Sequence, residues 1–142
     1  HVKNAADLER IDLTATMVDD DALAHLQGMR NLQWLAVPNT QVTDAGMKHL
    51  AGLPKLEVLR LTGTLIGDEG LAEVVKIASL VELDLEQTLV GDDGLALLKK
   101  LKNLKRLNIT DVNVSDDAVS QLQAALPGLH ILRWHWPGGF PG

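Results

Sequence analysis

The chain has 142 residues, of which 46% are hydrophobic but only 3% aromatic, as expected for one globular domain with an aliphatic core. Its formal net charge of -6 argues against a nucleic-acid partner held by bulk electrostatic attraction, and no run of about 18 apolar residues is present to span a membrane. The sequence contains no cysteine, which excludes disulfides, cysteine nucleophiles and thiolate metal sites and leaves the compartment undetermined.

From residue 8 onward the sequence repeats itself. Aligned on leucine, five units span residues 8–31, 32–55, 56–79, 80–103 and 104–128; the first four are equal in length, and the fifth is one residue longer. Residues 1–7 fall where the end of a preceding helix would lie, so we expect a partial repeat or an N-terminal cap there. Residues 129–142 begin a sixth strand and continue as a segment rich in Trp, Pro and Gly. The first leucine of each unit is called position 1 below.

Each unit reads LxxLxLxxTxVxDxGLxxLxxL and predicts one short strand followed by one short helix. Alternating apolar residues at positions 4 and 6 indicate a strand with one buried face. The later apolar residues are spaced by three, which is typical of a short amphipathic helix. Because elements this short cannot bury their apolar faces alone, we expect the units to stack around one continuous core.

This pattern resembles the leucine-rich-repeat family in its 24-residue form, over residues 8 to about 134. The resemblance implies an α/β solenoid, a curved right-handed β-α superhelix with parallel strands on its concave face and short helices on its convex face. It also implies a binding module for a protein or peptide partner, whose identity the sequence does not indicate.

Threonines recur at position 9 of the first four units. Since a buried hydroxyl requires a hydrogen bond, we predict a ladder in which these hydroxyls bond backbone groups of the turns above and below. Val112 interrupts the ladder, so Asp111 or Asn113 is expected to hold the last turn. The threonines are Thr16, Thr40, Thr64 and Thr88.

Glycine recurs at position 15, inside the predicted helices, as Gly46, Gly70 and Gly94. Glycine in a helix costs about 1 kcal/mol relative to alanine. Three such glycines in register therefore predict a close approach to the neighbouring unit rather than a phosphate-binding loop. The two end units have Ala22 and Ala118 instead.

Acidic residues gather at positions 12 to 14, where each helix is predicted to begin. We interpret them as caps of those helices, which also complement the helix dipole. The alternative is an acidic edge that binds cations, although the spacing of a calcium-binding EF-hand loop is absent. The residues are Asp19, Asp20, Asp21, Asp44, Asp68, Glu69, Asp92, Asp93, Asp116 and Asp117.

The sequence predicts no active site, metal site or cofactor. His25, His49 and Glu73 share position 18 of successive units, but helices about 8–10 Å apart would not bring three side chains to a zinc ion. We therefore predict that they are solvated surface residues. No nucleophile motif is present, and we predict that the chain is not an enzyme.

Strand positions 3, 5 and 7 are predicted to point away from the core, and we place the partner-binding site there. Trp34 has no core role at position 3, and Trp and Arg often dominate binding energy at interfaces. The alternative is a purely structural face with the ion pairs Glu82–Arg106 and Arg60–Asp84. The predicted site residues are Arg10, Trp34, Val58, Arg60, Glu82, Asp84, Arg106, Asn108, Arg133 and His135.

Two other segments have two interpretations each. The basic segment 99–106 is either a solvated helix end or a surface for an anionic partner; its charges are Lys99, Lys100, Lys102, Lys105 and Arg106. Near the C-terminus, we expect Leu132, Trp134 and Trp136 to point inward and, with Phe140, to cap the open core. The alternative is an exposed docking tail or a linker to a further domain.

These observations predict a non-catalytic protein–protein interaction module that uses its concave face and is part of a larger protein. Two alternatives stay open. The chain can be a structural spacer or oligomerisation unit that packs through its ends, or a cation-dependent adhesion module that uses its acidic edge.

Overall fold

The computed structural model describes residues 7–14, 16–38 and 41–134, and in these residues six short strands form one parallel sheet. The strands are β1 (Arg10–Asp12), β2 (Trp34–Ala36), β3 (Val58–Arg60), β4 (Glu82–Asp84), β5 (Arg106–Asn108) and β6 (His130–Leu132). They pair in chain order, and each strand residue lies beside its counterpart one full period later, as Arg10 beside Trp34 and Arg106 beside His130.

One short helix follows each of the first five strands. The helices are α1 (Asp20–Leu23), α2 (Asp44–Met47), α3 (Asp68–Val74), α4 (Asp92–Leu97) and α5 (Asp116–Ala125), and 3-10 turns extend α1 over Ala24–Leu26 and α4 over Leu98–Lys100. Every helix begins at position 13. The predicted α/β solenoid, with strands on one face and helices on the other, is confirmed.

The core is aliphatic and runs through the whole stack. Position 4 is occupied by Leu35, Leu59, Leu83 and Leu107, which lie side by side in the sheet and are buried. Their counterparts on the helices, such as Leu71 and Leu95, close the core from the other side. Burying one such side chain contributes about 1.5–3 kcal/mol. No helix of the described residues is both long enough and apolar enough to cross a bilayer.

The predicted threonine ladder between turns is wrong. Thr64 Oγ1 donates to the carbonyl of Leu61 at 2.7 Å, and Thr88 Oγ1 donates to that of Leu85 at 2.8 Å. Each hydroxyl therefore closes its own turn, because the carbonyl three residues earlier is the nearest acceptor. Thr16 does the same, and Thr40 lies outside the described residues.

The fifth turn needs no hydroxyl to close. The Val112 N–H donates to the carbonyl of Ile109 at 3.2 Å, and the Asn108 side chain accepts the Thr110 N–H at 3.0 Å. The contact expected from Asp111 or Asn113 is therefore not what holds this turn, and the Asn108 contact is the same as the one that Asp84 makes in the fourth turn. Asp111 instead has a positive φ of 57°, which places it in the left-handed region.

The close approach predicted at the helical glycines is confirmed. A Cβ on Gly70 would lie 2.5 Å from Asp44 Oδ1 and 3.3 Å from Asp44 Cα. A Cβ on Gly94 would overlap with Asp68 in the same way, and one on Gly46 would overlap with Asp20. Each glycine therefore makes room for an aspartate of the preceding unit.

The aspartates at position 13 bond the following unit rather than capping their own helices, so that part of the capping prediction is wrong. Asp44 Oδ1 accepts the Gly67 N–H at 2.6 Å, and Asp68 Oδ1 accepts the Gly91 N–H at 2.7 Å. These carboxylates, Asp20, Asp44, Asp68 and Asp92, are called the aspartate ladder below.

Position 12 caps the helix through its side chain in the first, second and fifth units, whereas the third and fourth units have Gly67 and Gly91 there and no side-chain cap. Asp19 accepts the Ala22 N–H at 3.1 Å, and Ser115 Oγ accepts the Ala118 N–H at 3.1 Å. Thr43 caps α2 in the same way. The N-cap residue of one unit thus donates its own N–H to the aspartate of the unit before it. The same residue therefore caps its helix and bonds the neighbouring unit.

Acidification is expected to weaken the last step of the ladder. The pKa of Asp92 lies below its usual value because the carboxylate accepts the backbone N–H and then the hydroxyl of Ser115, with a smaller contribution from the charge of Arg133. A carboxyl with a depressed folded pKa contributes stability that is present above about pH 4 and is lost as the pH falls through the folded value. Asp92→Asn should therefore flatten the acid limb of the stability profile.

Urea unfolding between about pH 2 and pH 6 measures this change. Asp93→Asn, which alters the exposed carboxylate at the next position, is the matched control. An acid limb with the same slope in Asp92→Asn and in the unmodified protein would contradict the assignment.

The side chains around β6 do not point as predicted. Ile131 pairs with Leu107 of the core row, whereas Leu132 is 51% exposed and Trp134 is 54% exposed. The prediction that Leu132 and Trp134 point inward is therefore wrong. The prediction gave the fifth unit one residue more than the others, whereas β6 keeps the regular register of the sheet. Because a shift of one residue turns every side chain of a strand to the other face, the predicted inward and outward residues are exchanged. Trp136 and Phe140 lie outside the described residues.

Candidate functional site

The concave face carries a tryptophan held between two arginines. The guanidinium carbon of Arg10 lies 3.6 Å from the centroid of the Trp34 ring, and that of Arg60 lies 5.4 Å from it. Arg10 reaches the ring from the adjacent position in β1, and Arg60 reaches it from β3. Each contact of this type contributes about 0.5–1 kcal/mol at an exposed site. The half-buried indole is thus held in place by charged neighbours.

Glu82 extends this arrangement toward the C-terminal strands. One carboxylate oxygen lies 3.1 Å from Arg60 and the other lies 3.3 Å from Arg106. The predicted pair Glu82–Arg106 is confirmed, but the predicted pair Arg60–Asp84 is wrong. Together these residues form a continuous row across five strands, called the arginine row below: Arg10, Trp34, Arg60, Glu82 and Arg106.

The polar residues at position 5 serve the turns that follow the strands. Asp84 Oδ1 accepts the Glu86 N–H at 3.0 Å, which explains why it does not pair with Arg60. Asn108 accepts the Thr110 N–H in the same geometry. These two predicted site residues are therefore half-buried and already bonded. Val58, at position 3, is also half-buried and lies beside Trp34 and Glu82 in the sheet.

Asp12 makes the same turn contact in the first unit. Its carboxylate accepts both the hydroxyl and the backbone N–H of Thr14. These hydrogen bonds, with smaller contributions from Arg10 and Arg60, hold the pKa of Asp12 below its usual value. An ionised carboxylate thus accompanies the two arginines that flank Trp34, so this end of the face carries both signs of charge.

Arg133 is not placed on the concave face as predicted. It stands one full period after Ile109, at the inward position of the last unit, and its guanidinium reaches Asp116 at 2.6 Å. His135 lies outside the described residues. The concave face instead receives His130, Leu132 and Trp134, which the sequence assignment missed. A constant period applied through the last unit would have identified them.

The histidines at position 18 lie at the surface of the helix side. His25 is exposed, and His49 is half-buried with its Nδ1 2.8 Å from Gln27 Nε2. Within residues 7–14, 16–38 and 41–134, no three His, Asp or Glu side chains are grouped to hold a metal ion. The four lysines of the basic segment are exposed.

A groove of about 420 Å³ separates α4 from α5 on the helix side. It lies where Ala118 replaces the glycine of the preceding units. At this step Asp92 is exposed, whereas Asp44 and Asp68 of the earlier steps are half-buried. Acidic, basic and apolar side chains all line the groove, including Asp93, Lys99 and Leu122.

An apolar row marks the edge where strands lead into helices. Leu65 and Leu89, both at position 10, are 54% and 66% exposed, and Met17 occupies the same position in the first unit. Gln41 and Asn113 interrupt the row in the second and fifth units. Among the described residues, the large apolar side chains that are exposed thus lie at this edge and at the C-terminal end of the concave face.

Comparisons with known proteins identify the repeat and the fold. A family model described as "Leucine Rich repeat" matches residues 52–75, and no curated protein matches the sequence. The structure is similar to internalin C2 from Listeria monocytogenes, with a TM-score of 0.73 and 27% identity; the match covers 89% of this chain and 52% of that one.

Two further solved structures have the same fold. An internalin from Listeria monocytogenes, inlF, gives a TM-score of 0.67 at 22% identity, and the match covers 78% of this chain and 30% of that one. The leucine-rich-repeat ectodomain of the receptor kinase SOBIR1 from Arabidopsis thaliana gives 0.59 at 18% identity, covering 88% and 67%. The chain thus spans about half the length of internalin C2 and less than a third of inlF.

Proposed function

The chain is a leucine-rich-repeat protein, and from this premise we propose that it is a non-catalytic module that binds a protein or peptide through its concave face. Proteins with this fold generally serve as interaction domains and are generally non-catalytic. The chain spans only part of its structural relatives, and we propose that it acts as one part of a larger protein.

The observation that carries the proposal is the exposure of Leu132 and Trp134 on the face that holds the arginine row. Tryptophan and arginine are the residues that most often dominate interface energies. The half-buried Trp34 is already stacked with two guanidinium groups, so we assign it the role of holding the arginines. Among the described residues, Trp134 is the aromatic side chain left open to a partner.

The acidic edge supports this proposal over cation-dependent adhesion. Four of its carboxylates, the aspartate ladder, already accept N–H groups of the following unit. Their lone pairs are thus partly used within the fold, and a cation would have to compete with those bonds.

Replacing exposed side chains of the concave face should strongly reduce binding. In Leu132→Ser with Trp134→Ala, and in Arg60→Glu, we expect proteins that copurify with the unmodified chain to be recovered at least tenfold less, because hot-spot residues each contribute about 2 kcal/mol or more. Quantitative mass spectrometry of the copurified proteins measures the loss. Thermal unfolding of each variant verifies that it is folded.

The matched control is Leu65→Ser with Leu89→Ser, which removes two equally exposed apolar side chains from the strand-to-helix edge. This control should retain the partners. If the control loses them while both concave variants keep them, the concave-face proposal is wrong and the partner binds at the edge.

A further inference from the structure

Each of the first three units of the solenoid offers two acceptors to the unit that follows it. One is the backbone carbonyl of position 11: that of Ile66 accepts the Leu89 N–H at 2.8 Å. The other is the carboxylate of position 13: Asp68 Oδ1 accepts the Gly91 N–H at 2.7 Å. Val42 and Asp44 make the same two bonds one unit earlier.

In the fifth unit the equivalent acceptors are the Val114 carbonyl and the Asp116 carboxylate. One guanidinium group meets both of them. Arg133 donates through one terminal nitrogen to Asp116 Oδ1 at 2.6 Å, and through the other to the Val114 carbonyl at 2.7 Å. A planar guanidinium presents its N–H donors in a fixed fork, which suits two neighbouring acceptors.

The position of Arg133 in the repeat explains how it reaches them. It stands where the preceding units place the buried Leu61, Leu85 and Ile109. A side chain at this position points toward the core. Beyond the last strand, no further unit of the described residues covers the core, and the Arg133 side chain extends to Val114 and Asp116 at the start of α5. Its long aliphatic stem can cover core surface while its charged end binds the loop.

We propose that Arg133 is the terminal cap of the repeat array, because its guanidinium supplies both donors that a following unit would supply from its backbone. The cap closes the hydrogen-bonding pattern between units at Val114 and Asp116. It also occupies the acceptors through which another unit, or the first unit of a second copy, would have to stack at this end.

Local opening at the last strand tests the cap. In a stack of units each unit depends mainly on its neighbours, so loss of the cap should act near β6. We expect Arg133→Gln to accelerate amide hydrogen exchange about tenfold at Ile109 and His130, the donors between β5 and β6. Exchange at Leu61, which joins β3 to β4, should stay unchanged.

Arg133→Lys distinguishes the effect of the paired guanidinium donors from the effect of the positive charge. A lysine keeps the positive charge but lacks the planar pair of donors, so it should accelerate exchange nearly as much as glutamine does. Arg106→Gln and Arg106→Lys are the matched controls, since Arg106 is an exposed arginine of the neighbouring strand with an ion pair of its own. They should change exchange at Ile109 by less than about twofold.

A double-mutant cycle with Asp116→Asn completes the test. If the guanidinium acts through Asp116, the effects of Arg133→Gln and Asp116→Asn on exchange at Ile109 should be less than additive. The proposal is overturned by additive effects, by wild-type exchange in Arg133→Lys, or by equal acceleration at Leu61.

Discussion

Replacing Gly70 with alanine is expected to lower the free energy of unfolding by about 1–3 kcal/mol, although alanine is the better helix former by about 1 kcal/mol. The added Cβ would lie 2.5 Å from Asp44 Oδ1 and 3.3 Å from Asp44 Cα. The side chain of Asp44 can rotate only by breaking its bond to the Gly67 N–H, and the backbone contact would then persist. Urea unfolding measures the loss.

Gly52→Ala is the control for Gly70→Ala, since nothing lies within 4 Å of a Cβ at Gly52. It should change the free energy of unfolding by less than about 0.5 kcal/mol. Adding Asp44→Ala to Gly70→Ala should give a total loss smaller than the sum of the single losses, because the carboxylate that meets the Cβ is gone. A Gly70→Ala protein as stable as the unmodified one would contradict the close approach.

Removing one carboxylate of the aspartate ladder should have an effect of similar size. Asp68→Ala leaves the half-buried N–H of Gly91 without its charged acceptor, and we expect a loss of about 1.5–3 kcal/mol in the free energy of unfolding. Asp68→Asn retains an oxygen acceptor but not the charge, so its loss should be smaller. Both variants can be measured by urea unfolding at neutral pH.

Asp93→Ala is the control for the ladder, because Asp93 is an exposed acid in the first turn of α4. It should cost less than about 1 kcal/mol, the range of a favourable charge near a helix N-terminus. Equal losses in Asp68→Ala and Asp93→Ala would mean that both acids act only on the helix dipole, and would contradict the ladder.

The sequence predicts the architecture well because the period itself carries the information. Leucines that recur at the same place in every unit predict one strand and one helix per unit, and the helical glycines predict the close approach because a glycine there is otherwise unfavourable. Both predictions follow from the positions of residues in the repeat, without knowledge of any interatomic distance. Both depend on what many units share, so a local irregularity does not disturb them.

The roles of individual polar side chains were harder to predict. An aspartate at a helix start can bond its own helix or the next unit, and the sequence pattern is the same in both cases, as Asp19 and Asp68 illustrate. Arg60 bonds Glu82 rather than its register partner Asp84 because the shorter Asp84 bends to its own turn. Such choices depend on side-chain reach, which a linear pattern does not contain.

The C-terminal end of the site was misassigned for a different reason. Aligning the last unit on Leu129 rather than on the sheet register exchanged the inward and outward residues of β6. Leu129 is buried, but the sheet pairs Arg106 with His130, so Leu129 stands one residue too late to be position 1 of a sixth unit. One leucine outside the period was enough to move Arg133 onto the concave face and Trp134 off it.

The aspartate at position 13 of one unit packs against the glycine at position 15 of the next unit. This contact determines how such a chain can lengthen. The unit 56–79 carries both halves of the contact, with Asp68 facing forward and Gly70 facing back. A tandem duplication of this unit would therefore meet its own copy with the same hydrogen bond and the same clearance. The array can grow from its middle by whole units, without a compensating change at either junction.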